Sequence, residues 1–568
     1  MISTARPSRA ASSPWGKHDS RRARIALVVG LYIALLALTH TSAQGDTSLY
    51  ASSLIERLRG RPGDFWEFGH AIWRPLVFVL FRLFHPTVDA SDAVVFEHVV
   101  NVMAGIAMLA GAAGLIAFHS WMERLDLPPW PALAATIALC AASAYLGYAQ
   151  TGASYIPSVA MLIVGLRAMA ADDRRPAAWT IAGASMAFAL AVLFWFPMVL
   201  AVPAGVISAI VLRGDSRPRR RIAGAVCLVT GMTAVMAYAA VAYLADVRSV
   251  AELRHWMAAA THDIVGIGGA PRAIVGFGRS LVNMDRLGLV AKRYLLHDPY
   301  NTATVADIAR AGLLRLALLY ALLACAAIAL VRHPRGRRAL AFLMLTAVPV
   351  VGFALKWQGG DIERYLALFP ALFLAAAFAI ASLPWSAQRM MGGAVVLLMV
   401  GVNVPAISRA AGARECETLA HRIESVPRAD TRAVVIITPH ELDEITSFSS
   451  ICPASPLLKA TNPPRIYGLV TANNLRAPLW REQVAARAAR AWASGGHLWV
   501  SRRAFADAPD ANSKWAEGDD PTVRWRDFPH WFRQLDVSAP VGGADGFVEI
   551  LPTGRSKSAL DKVRKPAP

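Results

Sequence analysis

Apolar runs long enough to cross a bilayer recur along the first 405 residues of this 568-residue chain, and this limits its fold more than any other feature. A run of about 20 apolar residues spans roughly 30 Å of hydrocarbon as a helix, with its backbone polar groups satisfied internally. About eleven such runs fall near 24–42, 94–118, 131–149, 154–171, 177–195, 198–212, 222–245, 311–331, 339–356, 365–383 and 390–406. The chain reads as an all-α polytopic membrane protein. Hydrophobic residues make up 55% and charged residues only 17%, which excludes an ordinary soluble enzyme.

Lys and Arg exceed Asp and Glu by 58 to 39, a net charge of +19. In a soluble chain this would suggest a nucleic-acid partner, but in a polytopic one basic residues collect in cytoplasmic loops. Arg6, Arg9, Lys17, Arg21, Arg22 and Arg24 precede the first run. Every second short loop after it is basic: Arg124; Arg174 and Arg175; Arg213, Arg217, Arg219, Arg220 and Arg221; Arg332, Arg335, Arg337 and Arg338; Arg389. The loops near 150–154 and 195–199 hold no Lys or Arg. The alternation predicts a multi-pass protein of a bacterial-type inner membrane, N-terminus cytoplasmic, C-terminal domain periplasmic or extracellular, and no nucleic-acid partner. The start also fits a cleavable signal peptide ending near Thr41-Ser42-Ala43.

The layout predicts a basic tail at 1–23, a transmembrane domain at 24–406, a small α/β domain at 407–553 and a disordered basic tail at 554–568. Strands are expected at 433–437, 497–500 and 546–551, and a helix at 481–493. The first external loop, 43–93, contains an amphipathic stretch at 51–58 and a run at 73–84 that is too short and too charged to span. The latter reads as a helix lying in the membrane interface. The second external loop, 246–310, contains Gly266, Gly268 and Gly269, but their spacing matches no phosphate-binding fingerprint. Cys140, Cys227 and Cys325 fall in spans as packing residues, whereas Cys416 and Cys452 share the external domain and could pair there. No metal-ligand cluster is evident. No cofactor is implied, and a divalent-metal requirement stays open.

Three stretches carry a family resemblance. Asp46-Thr47-Ser48-Leu49-Tyr50, just after the first span, is similar to an Asp-Glu-x-x-Tyr motif, with Thr47 in place of the acidic residue. Trp73-Arg74-Pro75-Leu76 is similar to Lys-Pro-Pro-Leu before an interface helix, one proline short. Glu363-Arg364-Tyr365 through Pro370 is similar to the Arg-Tyr-x-x-Pro-x-x-Pro start of a late span, without the first proline near Ala367. Together they resemble the polyprenyl-phosphate-dependent GT-C glycosyltransferases, such as protein O-mannosyltransferases and lipid A aminoarabinose transferases.

The resemblance implies a transferase whose partners are a polyprenyl-phosphate-linked sugar, a lipid, glycan or protein acceptor, and the bilayer. Such a site needs a carboxylate to deprotonate the acceptor hydroxyl and cations to hold the departing phosphate. Asp46 is the candidate base, and Arg74 and Arg364 are the candidate phosphate ligands, with further charge from the series 272–293. A single displacement of this kind inverts the anomeric centre. Tyr50, His70, Trp73, Asp361, Glu363, Tyr365, His297 and Asp298 are candidate substrate contacts. Structural alternatives stand beside these: Asp46 as a helix cap, Arg74 snorkelling to headgroups, and Asp361, Glu363 and Arg364 as a salt bridge. A flippase for lipid-linked glycan and a non-catalytic membrane scaffold are the competing functions.

Overall fold

The computed structural model describes residues 14–39, 46–60, 65–85, 92–170, 176–260, 269–284, 287–408, 418–419, 421–423, 426, 433–438, 441, 466–468, 480–510, 524–542 and 546–564. The chain opens with α1 (Pro14–Leu38), two short helices α2 (Thr47–Leu58) and α3 (Trp73–Phe84), then α4 (Asp92–Arg124), α5 (Pro129–Ala141), α6 (Ser143–Tyr148) and α7 (Tyr155–Met169). It continues through α8 (Ala177–Phe194), α9 (Val202–Arg213) and α10 (Arg217–Leu244). The second long loop carries α11 (Val250–Ala259), α12 (Ala270–Leu281) and α13 (Leu287–Leu296). A short helix, α14 (Val305–Ile308), runs through a π-turn at Ala309–Leu313 into α15 (Leu314–Arg332). The bundle closes with α16 (Pro334–Lys356), α17 (Phe369–Ala381) and α18 (Trp385–Ser408).

Among the described residues eight helical segments are long and apolar enough to cross a bilayer, against the eleven expected. The other three runs are helical but shorter in apolar length. α1 carries Arg21, Arg22 and Arg24 ahead of its apolar part, and α5 and α7 have 13 and 15 residues. α5 stops because Ala142 turns to extended backbone before α6 begins. The break exposes carbonyls that a buried helix end cannot leave unpaired. Asn403 of α18 meets that need: its amide donates to Ala141 O at 2.7 Å and Leu281 O at 2.8 Å, and its oxygen accepts from the Asn283 amide at 2.7 Å.

The basic loops gather at one end of the bundle. Arg21 and Arg24 both reach Glu123 at the end of α4, at 2.8 and 2.9 Å. Arg124 donates to Arg167 O, Arg167 to Ser120 Oγ, and Arg213 to Ala170 O. Asp46 follows the opposite end of α1. The run at 73–84 is helical: α3 buries Trp73, Arg74, Val77 and Phe81 and turns Val79, Leu83 and Phe84 outward. Of the span cysteines only Cys140 is packed inside; Cys227 and Cys325 are exposed on α10 and α15.

The C-terminal region forms a four-stranded sheet from β1 (Val434–Ile437), β2 (Ile466–Gly468), β3 (Leu498–Ser501) and β4 (Phe547–Ile550), in the order β2-β1-β3-β4. The pairs β1/β2 and β1/β3 are parallel, and β3/β4 is antiparallel. Alternation sends Val434 and Ile436 to one core and Val435 and Ile437 to another, so both faces of β1 are covered, as a parallel sheet requires. Helices α19 (Trp480–Ala493) and α20 (Asp527–Phe532) cover one face.

The stretch expected as a disordered tail is instead helical at α21 (Gly554–Arg564). Thr553 Oγ1 caps it by accepting from the Ser556 amide at 3.2 Å, and Leu560 is buried in the core beside Ala559 and Val563. The apolar spacing 559, 560 and 563 is a helix face among basic residues, which a composition-based reading passes over. Cys416, Cys452 and Gly266–Gly268 lie outside the described residues.

Candidate functional site

Asp46 stands immediately before α2, yet its side chain makes no capping hydrogen bond, which sets aside the cap reading. The carboxylate turns towards α7 instead. Its Oδ2 accepts from Tyr155 Oη at 2.9 Å and Tyr50 Oη at 3.1 Å, and His70 Nε2 lies 4.0 Å away. Oδ1 has no hydrogen-bond partner among the described residues, and the side chain is 30% exposed. One oxygen is held by two donors while the side chain stays partly exposed.

Close packing brings these elements together. A Cβ on Gly152 would lie 2.6 Å from Thr47 Cγ2, so only glycine lets the 151–154 loop approach the start of α2. Trp73 Nε1 donates to Gly152 O at 2.8 Å and ties α3 to the same loop. Trp73 is wholly buried, and this bond is its observed role. His70 ends the 3-10 turn Phe68–His70, where its Nδ1 meets Phe194 O at 3.0 Å and Ser154 Oγ at 2.6 Å.

Arg74 is not the open phosphate ligand expected. It is buried, and its Nη2 donates to Glu67 Oε2 at 2.6 Å with its guanidinium 5.0 Å from the centre of the Tyr50 ring. A buried guanidinium needs its charge matched inside the protein, and Glu67 matches it. Nor does it snorkel to a surface. Glu67 escaped the sequence reading; an acidic residue between Trp66 and Phe68 was its only signal.

A second branch of polar contacts leads from Tyr155 to the mouth of α17. Tyr148 packs edge-on against Tyr155 and donates to Glu363 Oε2 at 2.8 Å. Glu363 Oε1 lies 3.8 Å from Arg364 Nη2, which donates to Gln358 Oε1 at 2.6 Å. Gln358 has φ 47°, a left-handed conformation costing a non-glycine residue about 1–3 kcal/mol, and such outliers gather at functional sites. A Cβ on Gly276 would sit 2.0 Å from Gly359 O, so α12 packs backbone to backbone against this turn. Tyr365 Oη lies 2.9 Å from Ala273 O and 2.8 Å from Gly359 O.

Charges distribute unevenly across the cleft. Burial raises the Asp361 carboxyl above the usual carboxylate range, against the pull of Arg364, Arg279 and Arg272. Burial holds the Tyr50 phenol well above its ordinary value, and the charges of Asp46 and Glu67 add to this. The His70 imidazole is lowered by burial, with Glu67 and Asp46 opposing. Part of the second-loop basic series thus reaches the site through Arg272 and Arg279. Beside it, α12, α15, α16 and α17 enclose an almost wholly apolar cavity of about 380 Å³, with Tyr365, Phe277, Tyr320 and Ala347 in its wall.

Asp46, Tyr50, His70, Trp73, Arg74, Asp361, Glu363, Arg364 and Tyr365 therefore belong to one neighbourhood. His297 and Asp298 do not join it by any described contact. His297 adopts φ 53° in a turn, while buried Asp298 accepts from the Tyr300 and Asn301 amides and lies 3.8 Å from Arg293. Tyr300 packs against the C-terminal core, so this turn braces the sheet region. The sequence reading also missed Tyr148, Tyr155, Ser154 and Gln358; the polar cluster 150–155 between two apolar runs was the available sign.

No family model matches the sequence, and no curated protein matches it. Among solved structures, ArnT from Cupriavidus metallidurans in the apo state aligns with a TM-score of 0.51 at 13% identity, covering 98% of this chain and 100% of that one. The same protein bound to undecaprenyl phosphate aligns with a TM-score of 0.50, at the same identity and coverage. The chain has a GT-C fold. In this chain a carboxylate follows the first helix, short helices come after it and an arginine stands at the mouth of a late helix. Its C-terminal sheet region lies within the aligned length.

Proposed function

We propose that this GT-C chain is a membrane glycosyltransferase that moves a sugar from a polyprenyl-phosphate carrier to a hydroxyl of a lipid, glycan or protein acceptor, on the external face of the inner membrane. The observation that carries the reading is the state of Asp46. Two tyrosines hold one of its oxygens, and the side chain stays 30% exposed. A general base needs that combination of fixed orientation and free lone pair.

Across the cleft, Arg364, Arg279 and Arg272 act on Asp361 and supply positive charge where a phosphate leaves. The neighbouring apolar cavity suits a prenyl chain, which buries about 0.8 kcal/mol per methylene. ArnT bound to undecaprenyl phosphate supports a lipid phosphate as the carrier class. In the proposed step Asp46 takes the acceptor's proton, the acceptor oxygen attacks the anomeric carbon from the face opposite the phosphate, and the configuration inverts.

The test is a reconstituted assay in proteoliposomes with a polyprenyl-phosphate sugar labelled in the sugar. Covalent transfer of label to an acceptor supports the reading. Translocation of intact donor without transfer would replace it with a flippase.

A further inference from the structure

Asp46 Oδ2 faces three side chains, and they are not equivalent. Tyr50 and Tyr155 donate to it. His70 presents Nε2 at 4.0 Å, and what that nitrogen carries follows from the other side of the ring. Nδ1 lies 3.0 Å from Phe194 O, a carbonyl left without a helical partner at the end of α8, where Trp195 turns to extended backbone. A carbonyl only accepts, so Nδ1 bears the proton. Ser154 Oγ donates to the same carbonyl at 2.8 Å, which leaves its lone pairs to accept from Nδ1 at 2.6 Å. The neutral ring therefore directs a bare Nε2 lone pair at the carboxylate, and among the described residues Nε2 has no hydrogen-bond partner.

The two acceptors are 4.0 Å apart, so a proton passes between them once the gap closes by about 1 Å. We propose that His70 is the proton relay of the site, receiving at Nε2 the proton that Asp46 takes from the acceptor hydroxyl. The inference rests on the transferase reading above. As the acceptor oxygen bonds to the anomeric carbon, its O–H bond breaks and the proton goes to Asp46. The bond from that carbon to the donor phosphate breaks, and its electron pair leaves on the phosphate. The carboxyl then turns about its Cβ–Cγ bond so that the oxygen carrying the proton, the one the tyrosines do not hold, comes within hydrogen-bond reach of Nε2 and gives the proton up, restoring the carboxylate beside an imidazolium, which loses the proton to water after the product departs.

The surrounding charges allow this cycle. Asp46 and Tyr50 face the ring from the start of α2, Glu67 from its own loop, Arg74 from α3 and Tyr155 from α7. Burial keeps the resting ring neutral and able to accept, while Glu67 and Asp46 stabilise the imidazolium once formed. His70 acts through Asp46 and is a positioning residue in that sense, since it does not touch the reacting atoms.

His70→Asn separates relay from scaffold, because the amide keeps an N–H near the Nδ1 position and removes Nε2. The relay predicts that kcat falls about 100-fold, that donor KM and the thermal midpoint stay as in wild type, and that the acid limb of the kcat profile due to the imidazole disappears. A kcat within threefold of wild type with an unchanged pH profile would overturn it. The wild-type tautomer gives a check independent of the variant's folding: ¹⁵N-histidine NMR in nanodiscs should show Nδ1–H, and a resting Nε2–H tautomer would overturn the relay. Asp46→Asn distinguishes this failure from that of the parent reading. If Asp46→Asn is inactive while His70→Asn is unimpaired, only the relay falls, whereas full activity of Asp46→Asn removes both.

Discussion

Tyr155 Oη donates to Asp46 Oδ2 at 2.9 Å, joining residues 109 positions apart. The bond links the exit of α1 to the entry of α7 and fixes the orientation of the carboxylate. Tyr50 reinforces it on the same oxygen. A hydrogen bond to a charged group contributes about 1.5–3 kcal/mol. Tyr155→Phe should therefore lower kcat by about 10-fold or more, Tyr50→Phe by a similar factor, and the double variant by less than their product because both act on one oxygen. Steady-state kinetics of the four proteins check this.

The buried pair of Arg74 and Glu67 makes a different prediction. Removing one partner of such a pair leaves an uncompensated charge and costs about 3–5 kcal/mol. Glu67→Ala should lower the thermal unfolding midpoint in detergent by several degrees. Arg74→Met with Glu67→Leu should recover most of that loss. Recovery of stability without recovery of donor affinity would assign Arg74 a phosphate contact as well.

Asp361 supplies the pH dependence. Its folded-state carboxyl is raised above the unfolded value, so the folded protein holds the proton more tightly. Its contribution to stability is present in full below the unfolded value, near pH 3.8, and is lost as pH rises through the folded value. At neutral pH burying this carboxyl costs stability. Asp361→Asn should raise the midpoint at pH 7 and converge with wild type towards pH 4; a lower midpoint at pH 7 would contradict the assignment.

The apolar cavity can be tested by filling it. Ala347→Phe places a ring in the wall between α15 and α16. A long-chain polyprenyl-phosphate donor should then show a raised KM, while a short, soluble prenyl-phosphate donor should not. Equal effects on both donors would remove the cavity from the carrier's path.

Much of the fold was legible because hydrophobic runs and loop charge obey local rules. The runs became helices, and Arg21 and Arg24, ahead of the first run, reach Glu123 beside Arg124 of the next basic loop. Asp46, Arg364 and Glu363 could be singled out by type and position. Partnership could not. Arg74 and Glu67 are brought together by the 3-10 turn between them, and Tyr148 and Tyr155 read as packing residues until burial obliges their hydroxyls to find acceptors. His297 and Asp298 looked like a site because a His-Asp-Pro-Tyr turn concentrates polar groups, yet Asp298 Oδ1 serves the turn's own Tyr300 and Asn301 amides.

The most direct measurement is sugar transfer by purified, folded Asp46→Asn protein with a polyprenyl-phosphate donor. Asparagine keeps the shape of the side chain but cannot take a proton. The rate should fall about 10²–10⁴-fold with donor affinity preserved; turnover within twofold of wild type would contradict the account of this site.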